Sequence, residues 1–216
     1  SDLPYMVDSL ANGLVDGFCV GAPWNSAAVD RGVGHILHFV SDIFSRATEK
    51  VLAIRQDWAE RHPDAVGALI RAHQRAADFI DDPANRAEVA RILSRPERIG
   101  VEVDLLRRII DGRLKVSPDG TIRENASFLL FGKDSAARPD PSQAAWLYAQ
   151  MVRWGQAPIP PDAVRTAQAV FRPDLYDDAL GRRETLADAP GDAMGAFTGP
   201  AFQADDVAGY LASFSI

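Results

Sequence analysis

The sequence predicts an α/β fold with few strands and many helices, whose sheet is only partly contained in the chain. Three observations lead there. The three good strand candidates all lie before Arg55. From Pro63 onward, segments of helical spacing led by proline or aspartate follow one another. No internal repeat or low-complexity tract suggests a repeat architecture. Three strands surrounded by so many helices make an incomplete sheet, so the remaining strands are expected to lie before residue 1.

The elements follow in order. Leu3 to Leu10 reads as a helix, with Pro4 in its first turn and Met6, Val7 and Leu10 on one face. Asn12-Gly13 ends it in a left-handed conformation. Leu14 to Val20 reads as a buried strand. Gly21-Ala22-Pro23-Trp24-Asn25 is a turn feeding a helix that runs to about Arg31 and is closed by Gly32 and Gly34. Ile36 to Val40 and Val51 to Ile54 read as the second and third strands. Pro63 opens the longest helix, with Val66, Leu69, Ile70, His73, Ala77 and Ile80 near helical spacing.

Asp82 is the expected cap of the next helix, with Pro83 first and Val89, Ile92 and Leu93 facing inward. Glu102 to Ile110 is a helix ended by Gly112. Ser117 to Lys133 reads as loop with possible short strands. Ser142 is the expected cap of an aromatic helix carrying Trp146, Tyr148 and Trp154, stopped by Gly155. Pro160-Pro161 and Pro173 open two more helices, the second ending near Gly181. Gly181 to Ala204, rich in Gly, Ala, Asp and Pro, reads as an extended linker. Asp205 or Asp206 then caps a terminal turn anchored by Val207, Tyr210, Leu211 and Phe214.

Composition narrows the function. The chain has 216 residues, 47% of them hydrophobic and 25% charged, with a net charge of −7. An acidic balance argues against nucleic acid and anionic membrane surfaces, both of which need clustered cations. No apolar run approaches the roughly 18 residues of a spanning helix, and the polar start shows no signal-peptide pattern. The single cysteine, Cys19, excludes an internal disulfide and any multi-cysteine metal site. It fits the periplasm and the cytoplasm equally well.

Catalytic motifs are lacking. There is no Gly-x-Ser-x-Gly elbow, no phosphate-binding glycine loop and no dinucleotide fingerprint. His35 and His38, three apart on a predicted strand, face opposite sides and make no metal pair. His62, before Pro63, reads as solvated, and Cys19 as a small buried side chain. No two carboxylates suggest an acid–base pair. The expectation is therefore no enzyme, no metal and no cofactor. The strand–turn–helix junction at Gly21 is different. Such a junction directs free backbone N–H groups and the helix dipole at an anion, and Gly21 lets it approach closely. Any α/β crossover has such a junction, and most hold only water.

The segment Val15-Asp16-Gly17-Phe18-Cys19-Val20-Gly21-Ala22-Pro23-Trp24-Asn25 resembles the nitrate- and bicarbonate-binding proteins of ABC transporters, and related cytoplasmic nitrate sensors. Thr48-Glu49-Lys50-Val51-Leu52, Arg153-Trp154-Gly155 and Phe171-Arg172-Pro173-Asp174-Leu175-Tyr176 agree with the same family, in order. The Asp82-Pro83 helix entry and the closing Tyr210-Leu211 to Ile216 fit it too. Ala22 stands where the family usually has an acidic residue.

The resemblance implies a partial type II periplasmic-binding-protein fold, the C-terminal portion of a two-lobed protein whose N-terminal part is missing. Residues 1–20 would be the end of the second lobe and the return crossing strand. Residues 21–180 would be the C-terminal part of the first lobe, and 181–216 an extended loop and C-terminal anchor. Two anion contacts carry over: Gly21 through its backbone and Lys50 through its ammonium group. The family's other contacts belong to the missing part.

In the bicarbonate branch an acidic residue replaces the lysine and recruits a metal. Lys50 therefore favours a metal-free monoanion, nitrate or nitrite. The expected role is a solute-binding protein that delivers its anion to an ABC permease in the periplasm, by hinge closure over the ligand. The alternative is a cytoplasmic nitrate sensor that acts on a regulatory protein partner. Related folds also serve in thiamine-precursor synthesis, but no nucleophile or acid–base set supports an enzyme. Exposed apolar surface on this portion alone predicts a homodimer or another non-monomeric state.

Overall fold

The computed structural model describes residues 3–44, 47–182 and 199–214. Its helices are α1 (Leu3–Ala11), α2 (Trp24–Asp30), α3 (Val40–Ile43), α4 (Gln56–Arg61), α5 (Pro63–Asp81), α6 (Arg86–Leu93) and α7 (Val103–Ile110). A hairpin of β1 (Arg113–Lys115) and β2 (Ile122–Glu124) follows. Then come α8 (Pro141–Arg153), α9 (Ala163–Val170), α10 (Pro173–Leu180) and α11 (Val207–Ala212). The chain divides into two compact units. Unit 1 comprises Ser1–Phe39 with Phe79–Phe131, and unit 2 comprises Val40–Asp78 with Gly132–Ile216.

Unit 1 is organised by α7 and the hairpin. Leu105, Leu106 and Ile109 put one face of α7 inward. Asp104 in its first turn and Arg107 and Arg108 in its last match the helix dipole. The buried face joins Phe39, Leu114 and Val116 in a core flanked by Ala22, Ala27, Ile36 and Phe128. The Phe128 ring meets Phe39 edge-on at 5.3 Å, and the Arg123 guanidinium lies 4.5 Å over the Phe39 ring. Burying each of Phe39 and Leu114 contributes about 1.5–3 kcal/mol. The turn from α7 into β1 needs Gly112. Its φ is +68°, and a Cβ there would stand 2.5 Å from the Asn125 carbonyl oxygen. β1 and β2 pair antiparallel, with Leu114 opposite Arg123.

Unit 2 is built on α8. Asp140 caps it by accepting from the Ser142 N–H at 2.9 Å, with Pro141 in the first position. Ala144, Ala145 and Ala149 are buried, and these small side chains let α9 pack on α8. Phe202, Val207 and Tyr210 close the same core, with Asp206 capping α11 by accepting from the Gly209 N–H at 2.9 Å. Arg153 stacks over the Phe214 ring at 3.6 Å. In α5, Val66 and Ala77 are buried.

The structure corrects several local expectations. Leu14–Val20, Ile36–Val40 and Val51–Ile54 are not strands. A strand is made by its neighbour's ladder, and among the described residues these runs find none. Ile36 donates a single backbone bond to the Val116 oxygen at 2.9 Å, and Val40 already begins α3. The two strands present are the short hairpin, β1 lying just ahead of the stretch where short strands were expected. Asp140, not Ser142, caps α8. His73 is exposed, and the half-buried position on α5 is Gln74. Cys19 is exposed, on a run without regular structure whose neighbours Phe18 and Val20 are half-buried. Gly181 ends α10 in the left-handed conformation, with φ +65°. The linker expected beyond it falls mostly outside the described residues.

Candidate functional site

The Gly21 junction is assembled in unit 1 from the end of an extended run and the start of α2. Asn12-Gly13 closes α1, with the Leu14 N–H on the Ser9 oxygen at 2.9 Å. From Val15 to Val20 the backbone has no hydrogen-bond partner among the described residues. Gly21 is half-buried, and the next residue, Ala22, packs on the Phe39–Leu105 core. The Ala22–Pro23 bond is cis. Pro23 has no N–H, the Ala27 N–H takes the Pro23 oxygen at 2.9 Å, and the Ser26 N–H takes Asn25 Oδ1 at 2.9 Å. The N–H groups of Gly21 and Ala22 take part in no backbone bond at the junction, while Ala22 and Pro23 form a turn that leads into α2. Ser26 is buried, and its Oγ lacks a partner.

Lys50 belongs to unit 2, in the irregular stretch 47–55 ahead of α4. Helix α8 contacts the chain at two points ahead of Lys50. Phe44 meets the Trp146 ring edge-on at 5.1 Å, and the Thr48 hydroxyl donates to the Gln143 side-chain oxygen. The Lys50 side chain is 80% exposed, and its ammonium donates to the Glu49 carboxylate. Gly21 and Lys50 therefore sit in different units, each with its own surroundings.

The four histidines are exposed. Among the described residues no group of three His, Cys, Asp or Glu side chains could hold a metal ion. No helix among them is long and apolar enough to cross a membrane.

Sequence reasoning missed the polar clusters that fix each unit. In unit 1, Asp30 takes Arg108 and, at 3.5 Å, Lys115. Asp111 takes Arg107 at 2.7 Å and Arg86 at 3.2 Å. In unit 2, Arg138 grips Asp177, and the Tyr176 hydroxyl donates to Gln74. The Arg138 guanidinium holds the Asp177 carboxyl below its ordinary value, against a smaller opposing effect of burial. All but the Arg107–Asp111 pair, four residues apart on one helix turn, join partners far apart in sequence, which local periodicity does not reveal.

Residues 2–94 match the model of the NMT1-like family. The chain is 33% identical to the nitrate import ATP-binding protein NrtC of Synechocystis sp., over 99% of its own length and 32% of that protein. It is 31% identical to the bicarbonate-binding protein CmpA of Synechococcus sp., over 97% of its own length and 50% of that protein. Among solved structures it resembles the periplasmic nitrate-binding protein NrtA from Synechocystis. The TM-score is 0.88 at 27% identity, over 98% of this chain and 56% of that one. The chain thus spans about a third to about half the length of the relatives it matches.

Proposed function

This chain is a relative of the nitrate- and bicarbonate-binding proteins of ABC transporters, and from that premise we propose that the protein carrying it binds nitrate or nitrite for such a transporter, in the periplasm. The observation that carries the reading is the likeness of fold to the periplasmic nitrate-binding protein, at a TM-score of 0.88 over 98% of the chain. Gly21 and Lys50 are the proposed anion contacts on this chain. At Gly21 the unpaired backbone donors offer neutral hydrogen bonds. At Lys50 an exposed ammonium offers one full charge. A single lysine charge suits a small monoanion and needs no metal. An acidic residue in place of Lys50 is the mark of the bicarbonate branch, so Lys50 tips the choice toward nitrate or nitrite.

Calorimetric titration of the full-length protein tests this. Nitrate or nitrite is expected to bind, bicarbonate to bind far more weakly, and Lys50→Ala to cut nitrate affinity about tenfold, the loss of one charge-assisted hydrogen bond. Preferential bicarbonate binding overturns the ligand assignment. Undiminished affinity in Lys50→Ala removes Lys50 from the site.

A second reading has its own support. The same module matches an import ATP-binding protein over only 32% of that protein's length, so it also occurs as part of a larger chain. In that setting the anion would act as a regulatory signal to a protein partner, with the module in the cytoplasm. Cell fractionation separates the two: periplasmic recovery supports the receptor, and cytoplasmic recovery supports the sensor.

A further inference from the structure

Lys50 already holds a carboxylate. Its ammonium donates to Glu49, the residue before it, while the Lys50 and Glu49 side chains remain 80% and 57% exposed. Burial does not enforce the pair, since both ends reach water. The segment itself is fixed independently, by Thr48 on Gln143 of α8. The Glu49–Lys50 contact therefore does not position the backbone; it occupies the ammonium.

Resting on the reading of Lys50 given above, we propose that Glu49 is an internal competitor for the anion and sets the affinity of the Lys50 contact. The incoming anion must take the ammonium from Glu49, or share it against the repulsion of a neighbouring negative charge. Exposed ion pairs of this kind are favoured over their separated form by about one- to fivefold. The fraction of lysine free to bind is then about a half to a sixth, which weakens apparent affinity about two- to sixfold. A weakly basic anion such as nitrate competes less well for an ammonium than a carboxylate does, so the occupied lysine discriminates against ligands that make few other contacts.

The test is a double-mutant cycle in the full-length protein, with nitrate as the titrant and Glu49→Gln, Lys50→Ala and the double variant compared at low ionic strength. Glu49→Gln keeps the shape and removes the charge. It is expected to tighten nitrate binding two- to sixfold, and the gain is expected to vanish in the Lys50→Ala background. A merely structural role for Glu49 would give a loss, or no change. Unchanged or weaker binding in Glu49→Gln, with Lys50→Ala still impaired, overturns the competition and leaves the Lys50 contact intact. A gain that persists in the double variant also overturns it, because the effect would then not pass through Lys50. Full affinity in Lys50→Ala sinks the underlying reading along with this one.

Discussion

The Arg138 guanidinium closes as a fork on the Asp177 carboxylate, with Nε 2.9 Å from Oδ1 and Nη2 2.7 Å from Oδ2. Both side chains are about four-fifths covered. The pair ties the segment leading into α8 to the middle of α10. A two-bond geometry with partial burial is the arrangement in which an ion pair stabilises measurably.

Asp177 therefore makes unit 2 acid-sensitive. Arg138 keeps its folded carboxyl below the ordinary value. The unfolded chain then binds the proton more readily, so this contribution is present above about pH 3.9 and is lost as pH falls through the lowered folded value. Asp177→Asn is expected to cost about 1–2 kcal/mol at pH 7 and to flatten the acid limb of stability. Urea midpoints between pH 2 and 7 check this. Parallel curves for both proteins would contradict it.

Gly112 is the tightest backbone requirement in unit 1. Its φ of +68° and the nearby Asn125 carbonyl leave no room for a side chain. The Asn125 N–H also donates to the Gly112 oxygen at 2.8 Å, so this turn sets the mouth of the hairpin. Gly112→Ala is expected to destabilise by about 1–3 kcal/mol. Gly155, at a positive φ with open space around it, should tolerate alanine better. Denaturation midpoints of the two variants give the comparison.

How far these features were legible in the sequence depends on their range. The helices were legible, because proline starts, aspartate caps and glycine stops act within one turn. Asp206 caps α11 as expected, while Asp82 caps the short 3-10 turn Pro83–Asn85 that runs into α6. Asp140 took the place of Ser142 because Pro141 needs the cap just ahead of it. The strands were misread because Leu14–Val20 has strand composition without a partner, and pairing is not a local property. The hairpin was nearly invisible, since three residues per strand carry no alternation to read. At the candidate site, Gly21 and Lys50 came from matching motifs. The Glu49 contact and the Thr48–Gln143 bond required coordinates.

Tyr176 predicts behaviour at the alkaline end. Burial pushes its phenol above the usual value of about 10, although Arg182 nearby favours the ionised form. The folded chain holds this proton more tightly than the unfolded chain does. Stability is thus unaffected below about pH 10 and falls as pH rises through the raised folded value. Tyr176→Phe removes this alkaline loss. It also leaves Gln74 without the hydroxyl, at about 1 kcal/mol near neutrality. Thermal melts at pH 7 and near pH 10.5 should therefore show the variant weaker at the first and relatively improved at the second.

The extended run of unit 1 predicts how the isolated 216-residue polypeptide behaves. The Val15–Val20 backbone has no hydrogen-bond partner among the described residues, and Leu14, just ahead of it, is 75% exposed. A backbone with unpaired donors and acceptors next to an exposed apolar side chain is a template for strand addition. The isolated polypeptide is expected to self-associate, with a sedimentation-average mass that rises with concentration. Val15→Pro and Phe18→Pro, which remove backbone donors and oppose pairing, should lower that mass without changing the helical circular dichroism. A clean monomer at high concentration would show that this run does not act as a template, and that its backbone is satisfied by water alone.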